Sequence, residues 1–240
     1  MATYVLVHGA FMGAWFWEDM ARRLEAAGHR AIAPDLPSQG RDTQPVAGIG
    51  LDDYVNRISA IIDDEDEPVI LVGHSLGGLT ISQTAERRPD RIRKLVYVAA
   101  FLLPDGSSPR KFYEDLGVPS PVMGASIMHE DGTVDLKPEA MEEIIFNTSP
   151  AWLIEAAMDH LKPTSRKPMA TPLELSDGNF GRVPRVYIEA LQDKSIPIKY
   201  QRMMVEALPC ATVITMDTDH SPMFSAPDEL ERHLLDVAKG

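Results

Sequence analysis

Val69-Ile70-Leu71-Val72-Gly73-His74-Ser75-Leu76-Gly77-Gly78 reads as a strand, a tight turn and the first residues of a helix. Four apolar residues lead into the turn, and a helical pattern follows over Leu76–Arg87. Small residues on either side of Ser75 permit a sharp bend that holds the serine hydroxyl exposed, with the backbone N–H of Leu76 facing a bound carbonyl. The G-x-S-x-G pattern carries chemical meaning only in a strand–turn–helix setting, and that setting is present.

Short β-branched runs recur on both sides of this motif. Strands are expected at Thr3–Val7, Arg30–Ala33, Val69–Val72, Leu95–Val98, Arg185–Ile188 and Thr212–Thr215, with helices at Trp17–Ala27, Leu51–Asp63, Leu76–Arg87, Ile198–Leu208 and Pro227–Ala238. Strands that are apolar almost throughout fit a sheet buried on both faces. The expected fold class is therefore α/β, an open and mostly parallel sheet of about six strands with helices on both faces. From about 104 to 183 the alternation stops, and Pro and Gly breakers separate the helical patches Pro138–Phe146 and Ala151–Leu161. A structureless loop of that length is improbable in a compact domain, so the segment is expected to be an inserted helical cap within a single domain over 1–240.

Composition narrows the function classes. With 44% hydrophobic and 25% charged residues over 240 positions, the chain can build a large core and is neither disordered nor fibrous. A net charge of −13 opposes binding to nucleic acid or to anionic membranes. The single cysteine, Cys210, forms no intramolecular disulfide, and no Cys/His spacing suggests a metal site. No apolar run reaches the length of a membrane span, and no leader precedes Thr3–Val7, so the expected location is cytoplasmic. The run Asp63-Asp64-Glu65-Asp66-Glu67 lacks the glycine and ligand spacing of a calcium loop and reads as a solvated turn.

A hydrolytic serine needs a second oxyanion donor, a base and an acid. His8-Gly9-Ala10 directly after the first strand supplies the donor, and Ala10 N–H is the candidate; His8 itself reads as structural. In this architecture the order along the chain is Ser, acid, His. His220 alone among the seven histidines follows the last strand on a loop. Asp193, after the fifth strand, is the favoured acid, with Glu189 and Asp217 as rivals; Asp219 adjoins His220 and cannot easily turn back to its ring.

With Ser75, Asp193 and His220 in order, the chain resembles the α/β-hydrolase superfamily. More narrowly it is similar to the branch of plant methyl esterases, hydroxynitrile lyases and bacterial pyrethroid-type carboxylesterases. The similarity is carried by Val5–Ala10 with Gly13-Ala14-Trp15, by Gly73–Gly78, by Tyr187–Pro197 and by Asp219-His220-Ser221-Pro222. It covers nearly the whole chain and is weakest in the cap. Lyases of the branch typically carry threonine and lysine where this chain has Gly9 and Ser221. The resemblance therefore implies ester hydrolysis through an acyl-enzyme on Ser75, with no cofactor and a small-molecule ester as partner. A lyase or other non-hydrolytic enzyme on the same scaffold, or a ligand receptor with a slow triad, is the alternative. Gly9, Phe11, Met12, Trp15, Trp152 and Met223 are the expected substrate-binding residues. Relatives in this branch often dimerise through the cap, so a homodimer is implied.

Overall fold

The computed structural model describes residues 1–239. Six strands, β1 (Thr3–Val7), β2 (Arg30–Ile32), β3 (Val69–His74), β4 (Ile92–Val98), β8 (Arg185–Ala190) and β9 (Thr212–Met216), form one sheet in the order β2-β1-β3-β4-β8-β9. Every pairing in it is parallel, with Val5 opposite Leu71, Leu71 opposite Leu95, Tyr97 opposite Tyr187 and Ile188 opposite Ile214. The expected parallel sheet is the one observed. The β-branched runs form it because each strand is buried on both faces, and side chains alternate between two apolar layers.

Val5, Val7, Val69 and Leu71 join the layer that holds Tyr54, Val55, Ile58 and Ile62 of the Leu51–Asp63 helix. Tyr4, Leu6, Ile70 and Val72 face the opposite layer, with Met20 and Leu24 of the Glu18–Ala26 helix and Leu230 and Leu234 of the Pro227–Lys239 helix. Each of these aliphatic side chains contributes roughly 1.5–3 kcal/mol by leaving water, so the two layers fix the strand register that sets up the site.

The segment between β4 and β8 departs from the all-helical expectation. It contains a small antiparallel sheet, β5 (Ser126–Met128), β6 (Thr133–Leu136) and β7 (Thr164–Ser165), in the order β5-β6-β7. The β5–β6 turn is closed by Asp131, whose Oδ1 accepts from Thr133 N–H at 2.9 Å and Thr133 Oγ1–H at 2.7 Å, and by Gly132 at φ 87°. Short helices surround this sheet, at Pro109–Asp115 and Ala151–Met158 among others. The expected helix Pro138–Phe146 is a single turn at Pro138–Ala140 followed by a wide π turn at Met141–Ile145. No helix among the described residues is long and apolar enough to cross a membrane.

Candidate active site

Parallel strands all end on one side of a sheet, and ligands of open α/β folds bind outside those carboxyl ends. Here the ends of β1, β3, β8 and β9 lead into His8–Ala10, Ser75, Asp193 and His220. The sequence-distant candidates are brought together by topology alone.

Ser75 sits between β3 and the Gly77–Arg87 helix at φ 53°, a left-handed backbone that costs a non-glycine residue about 1–2 kcal/mol. The turn is held by Phe101 N–H and Gly78 N–H, both donating to the Ser75 carbonyl at 3.1 Å. The flanking glycines are steric requirements. A Cβ on Gly73 would lie 2.8 Å from the Gly77 carbonyl oxygen, and one on Gly77 would lie 2.8 Å from the His8 carbonyl oxygen. Neither glycine position has room for a side chain, so the chain can pass closely on both sides of the strained serine.

His220 and Asp193 are buried and paired, with His220 Nδ1–H donating to Asp193 Oδ2 at 2.7 Å. That bond commits Nδ1 and leaves Nε2 as the ring nitrogen able to serve Ser75. The other carboxylate oxygen, Oδ1, accepts from Ser195 N–H at 2.7 Å and Ile196 N–H at 2.8 Å. Burial pushes the Asp193 carboxyl up, while the His220 ring and the two N–H donors pull it down. A further donor, Gln201 Nε2, reaches Oδ2 at 3.0 Å, and Gln201 Oε1 accepts from Ala190 N–H. Gln201 has no solvent exposure and was not singled out in the sequence. Its only signal there is a polar residue on the buried face of the Ile198–Ala207 helix.

The rival acids are engaged elsewhere. Glu189 pairs with Arg202 at 2.8 Å and accepts from Thr215 Oγ1 at 2.8 Å. Asp217 accepts from Gln192 Nε2 at 2.9 Å. Asp219 accepts from four donors, none of them an imidazole.

Two further histidines brace the site. Leu36 N–H donates to His8 Nε2 at 3.2 Å, so His8 Nδ1–H is the donor to the Gly9 carbonyl at 2.8 Å. This holds the loop carrying Ala10, and burial lowers His8 to about 4, keeping it neutral. His74 Nε2–H donates to the His220 carbonyl at 2.7 Å, and burial holds His74 well below the usual histidine range. Both nitrogens of His8 are thus engaged, while His74 is held through Nε2 and its Nδ1 has no partner.

Ser75, His220, Ala10 and Leu76 line one cavity of about 720 Å³, together with Phe11 and Met12. Met123, Met128, Met169 and Ile145 of the cap form its apolar wall. Other expected pocket residues fall outside its lining. Gly9 lies against Ser75, where a Cβ would meet Ser75 Cβ at 2.8 Å. Trp15 packs on His160 and Phe224, and Met223 is buried in the apolar layer beneath. Trp152 is 68% exposed on the outer side of the cap, because its helix turns that face to solvent. The substrate-binding expectation for Trp152 is therefore corrected. No group of residues that could hold a metal ion occurs among the described residues.

The profile of the alpha/beta hydrolase family matches residues 4–233. The chain belongs to this family. Among curated members, methylesterase 7 of Arabidopsis thaliana is 34% identical over 98% of this chain and 95% of its own length. The putative chloroplastic methylesterase 11 of the same plant is 33% identical over 98% of this chain, which spans 64% of that longer protein. Among solved family structures, polyneuridine aldehyde esterase superposes with a TM-score of 0.89 at 28% identity, covering 99% of both chains. The similarity to the methylesterase branch inferred from the motifs is thus found in both sequence and structure.

Proposed function

We propose that this chain is a serine carboxylesterase that hydrolyses a small to medium hydrophobic ester through Ser75, His220 and Asp193. The observation that carries the reading is the 2.7 Å His220–Asp193 pair opening onto the same cavity as the strained Ser75. The relatives named methylesterases support an ester with a small alcohol half.

In the reaction, Ser75 Oγ attacks the ester carbonyl while His220 Nε2 takes its proton. The N–H groups of Ala10 and Leu76 receive the oxyanion, aided by the positive end of the Gly77–Arg87 helix. Collapse breaks the C–O bond, and His220 returns the proton to the departing alcohol. Water, deprotonated by the same imidazole, then cleaves the acyl-enzyme and restores Ser75. Asp193 holds His220 in the required tautomer and stabilises its charged form. The cycle needs no metal or cofactor. The apolar cap wall, rich in methionine, suits an irregular hydrophobic acyl group.

The test is turnover of a panel of methyl and 4-nitrophenyl esters, with an organophosphate to label the nucleophile. Repeated turnover is expected, with one label per chain on Ser75. Ser75→Ala should abolish labelling and lower kcat/KM by about 10⁴-fold or more while the chain stays folded. Near-normal activity in that variant would overturn the nucleophile assignment. Mandelonitrile should release cyanide only at background, because the fully buried Ser221 offers no cation to the leaving group. Cyanide release faster than any ester hydrolysis would favour the lyase alternative.

A further inference from the structure

Asp219 has no solvent exposure, and its carboxylate is saturated by neutral donors. The two oxygens are divided between two parts of the chain. Oδ1 accepts from Ser221 N–H and Ser225 Oγ–H, both at 2.9 Å, on the loop that carries His220. Oδ2 accepts from Thr148 N–H at 2.9 Å and Ser149 Oγ–H at 2.8 Å, both in the cap. The bonding is reciprocal, since Asp219 N–H donates to Thr148 Oγ1 at 3.2 Å.

The same cap segment makes two more bonds to the late loops. Ser221 Oγ–H donates to the Ile145 carbonyl at 3.2 Å, at the end of the π turn, and Ile145 lines the cavity. Asn147 Nδ2–H donates to the Gln192 carbonyl at 3.2 Å, one residue before Asp193. His220 itself is fixed on its far side by His74. One wall of the cavity and the base are therefore seated on one buried carboxylate.

We propose that Asp219 is a positioning residue that couples the seat of the cap to the orientation of His220, so that substrate enclosure and proton transfer are set by a single clamp. This rests on the esterase reading above. The carboxylate itself is out of solvent, so its lone pairs must find donors within the chain, and these four bonds supply them, although Thr148 is exposed and Ser149 and Ser225 are half-buried on the donor side.

The clamp predicts a cross-effect that a purely structural acid does not: a cut on either side is felt on both. Its two halves can be cut separately by Ser149→Ala on the cap side and Ser225→Ala on the loop side. Kinetics would be read on 4-nitrophenyl acetate and on a bulky acyl ester that needs the cap wall, with active-site titration by organophosphate counting only competent chains. Ser149→Ala, although it cuts only the cap side, should raise KM for the bulky ester by about threefold or more and also lower kcat on the acetate, and Ser149→Thr should restore both. Ser225→Ala should likewise lower kcat on both esters and raise KM for the bulky one. Asp219→Asn keeps the shape but turns an NH₂ toward one pair of donors, so both parameters should worsen, by about tenfold or more in kcat/KM. Hydrogen exchange supplies a readout independent of activity: Asp219→Asn should loosen 145–149 and 217–225 together. Effects of Ser149→Ala confined to KM for the bulky ester, with those of Ser225→Ala confined to kcat, would overturn the clamp, because the two halves would then act independently. So would exchange that rises in 217–225 alone, or Asp219→Asn titrated sites that work at the wild-type rate. If the unaltered chain hydrolyses neither ester, the esterase reading fails and the exchange experiment alone judges the coupling.

Discussion

All six residues of β3 are buried, whereas the cap strand β5 leaves Ile127 43% and Met128 54% exposed. β3 is flanked by parallel strands on both sides and covered by helices on both faces; β5 is an edge strand with one partner. The two regions meet at the cavity, one supplying Ser75 and His220 and the other its apolar wall. Rigid placement belongs to the first, where Asp193 and His220 follow strand ends and the carboxylate and His220 Nδ1 are held by buried hydrogen bonds. Choice of ligand belongs to the second, where Met123, Met128 and Met169 can repack at small cost.

Substitutions that perturb the rigid region should therefore act on rate, and those in the cap on selectivity. The largest effect after loss of Ser75 is expected for Asp193→Asn. The amide cannot accept from Ser195 N–H, Ile196 N–H and His220 Nδ1–H together, and it favours the wrong imidazole tautomer. A drop in kcat of about 10⁴-fold is expected, and a loss under about tenfold would move the acid elsewhere. Gly9→Thr comes next. Its Cβ would press on Ser75 Cβ at 2.8 Å, and overpacking of about 1–3 kcal/mol should lower kcat/KM by roughly ten- to a hundredfold. Wild-type rates in this variant would show that the turn can yield where it is drawn as rigid.

Acid should then distinguish the core from the cap by stability. His8 is held at about 4 by burial, below the value near 6.5 of an exposed imidazole. Between those values the unfolded chain takes up a proton that the folded chain refuses, so stability falls as pH drops through this window. His8 alone accounts for on the order of 3 kcal/mol across it, and His74 adds a loss of the same sign. Urea midpoints measured from pH 7 to pH 4 should decline accordingly; a constant midpoint would mean these rings take up protons without unfolding. The smallest effect is expected for Trp152→Ala. With that ring in solvent, kcat/KM on small esters should stay within about twofold, as for other exposed substitutions. A large loss would place Trp152 on the substrate after all.

The same contrast governs what could be read in the sequence. Ser75 was legible because a left-handed turn between strand and helix demands small neighbours at fixed spacing, and Gly73 and Gly77 mark them. Asp193 and His220 were legible from their places after late strands. Strands Ser126–Met128 and Thr133–Leu136 were missed because each is short and flanked by turn residues, leaving too few positions for alternation to register. Trp152 misled because an aromatic residue in an apolar patch looks like lining, while its direction depends on a helix rotation that the pattern does not encode. Gln201 carries no signal of its role, and Asp219 is legible only as a neighbour of His220, for a related reason: polarity suggests surface, and only the folded chain brings their partners to them.

The separation between β3 and β9 along the chain has a consequence for how the protein is made. Strands β1, β3 and β4, with the serine turn, are specified before the cap is synthesised, and the last two strands of the sheet come after it. Ser75 leaves the ribosome roughly 145 residues ahead of His220, an interval of about 7–30 s at ordinary rates of elongation. Through that interval the serine has no base, and its hydroxyl is no more reactive than that of any other serine. On the proposed esterase reading, the nascent chain lacks its triad until the final strand docks, so completion of the fold itself serves as the activating event.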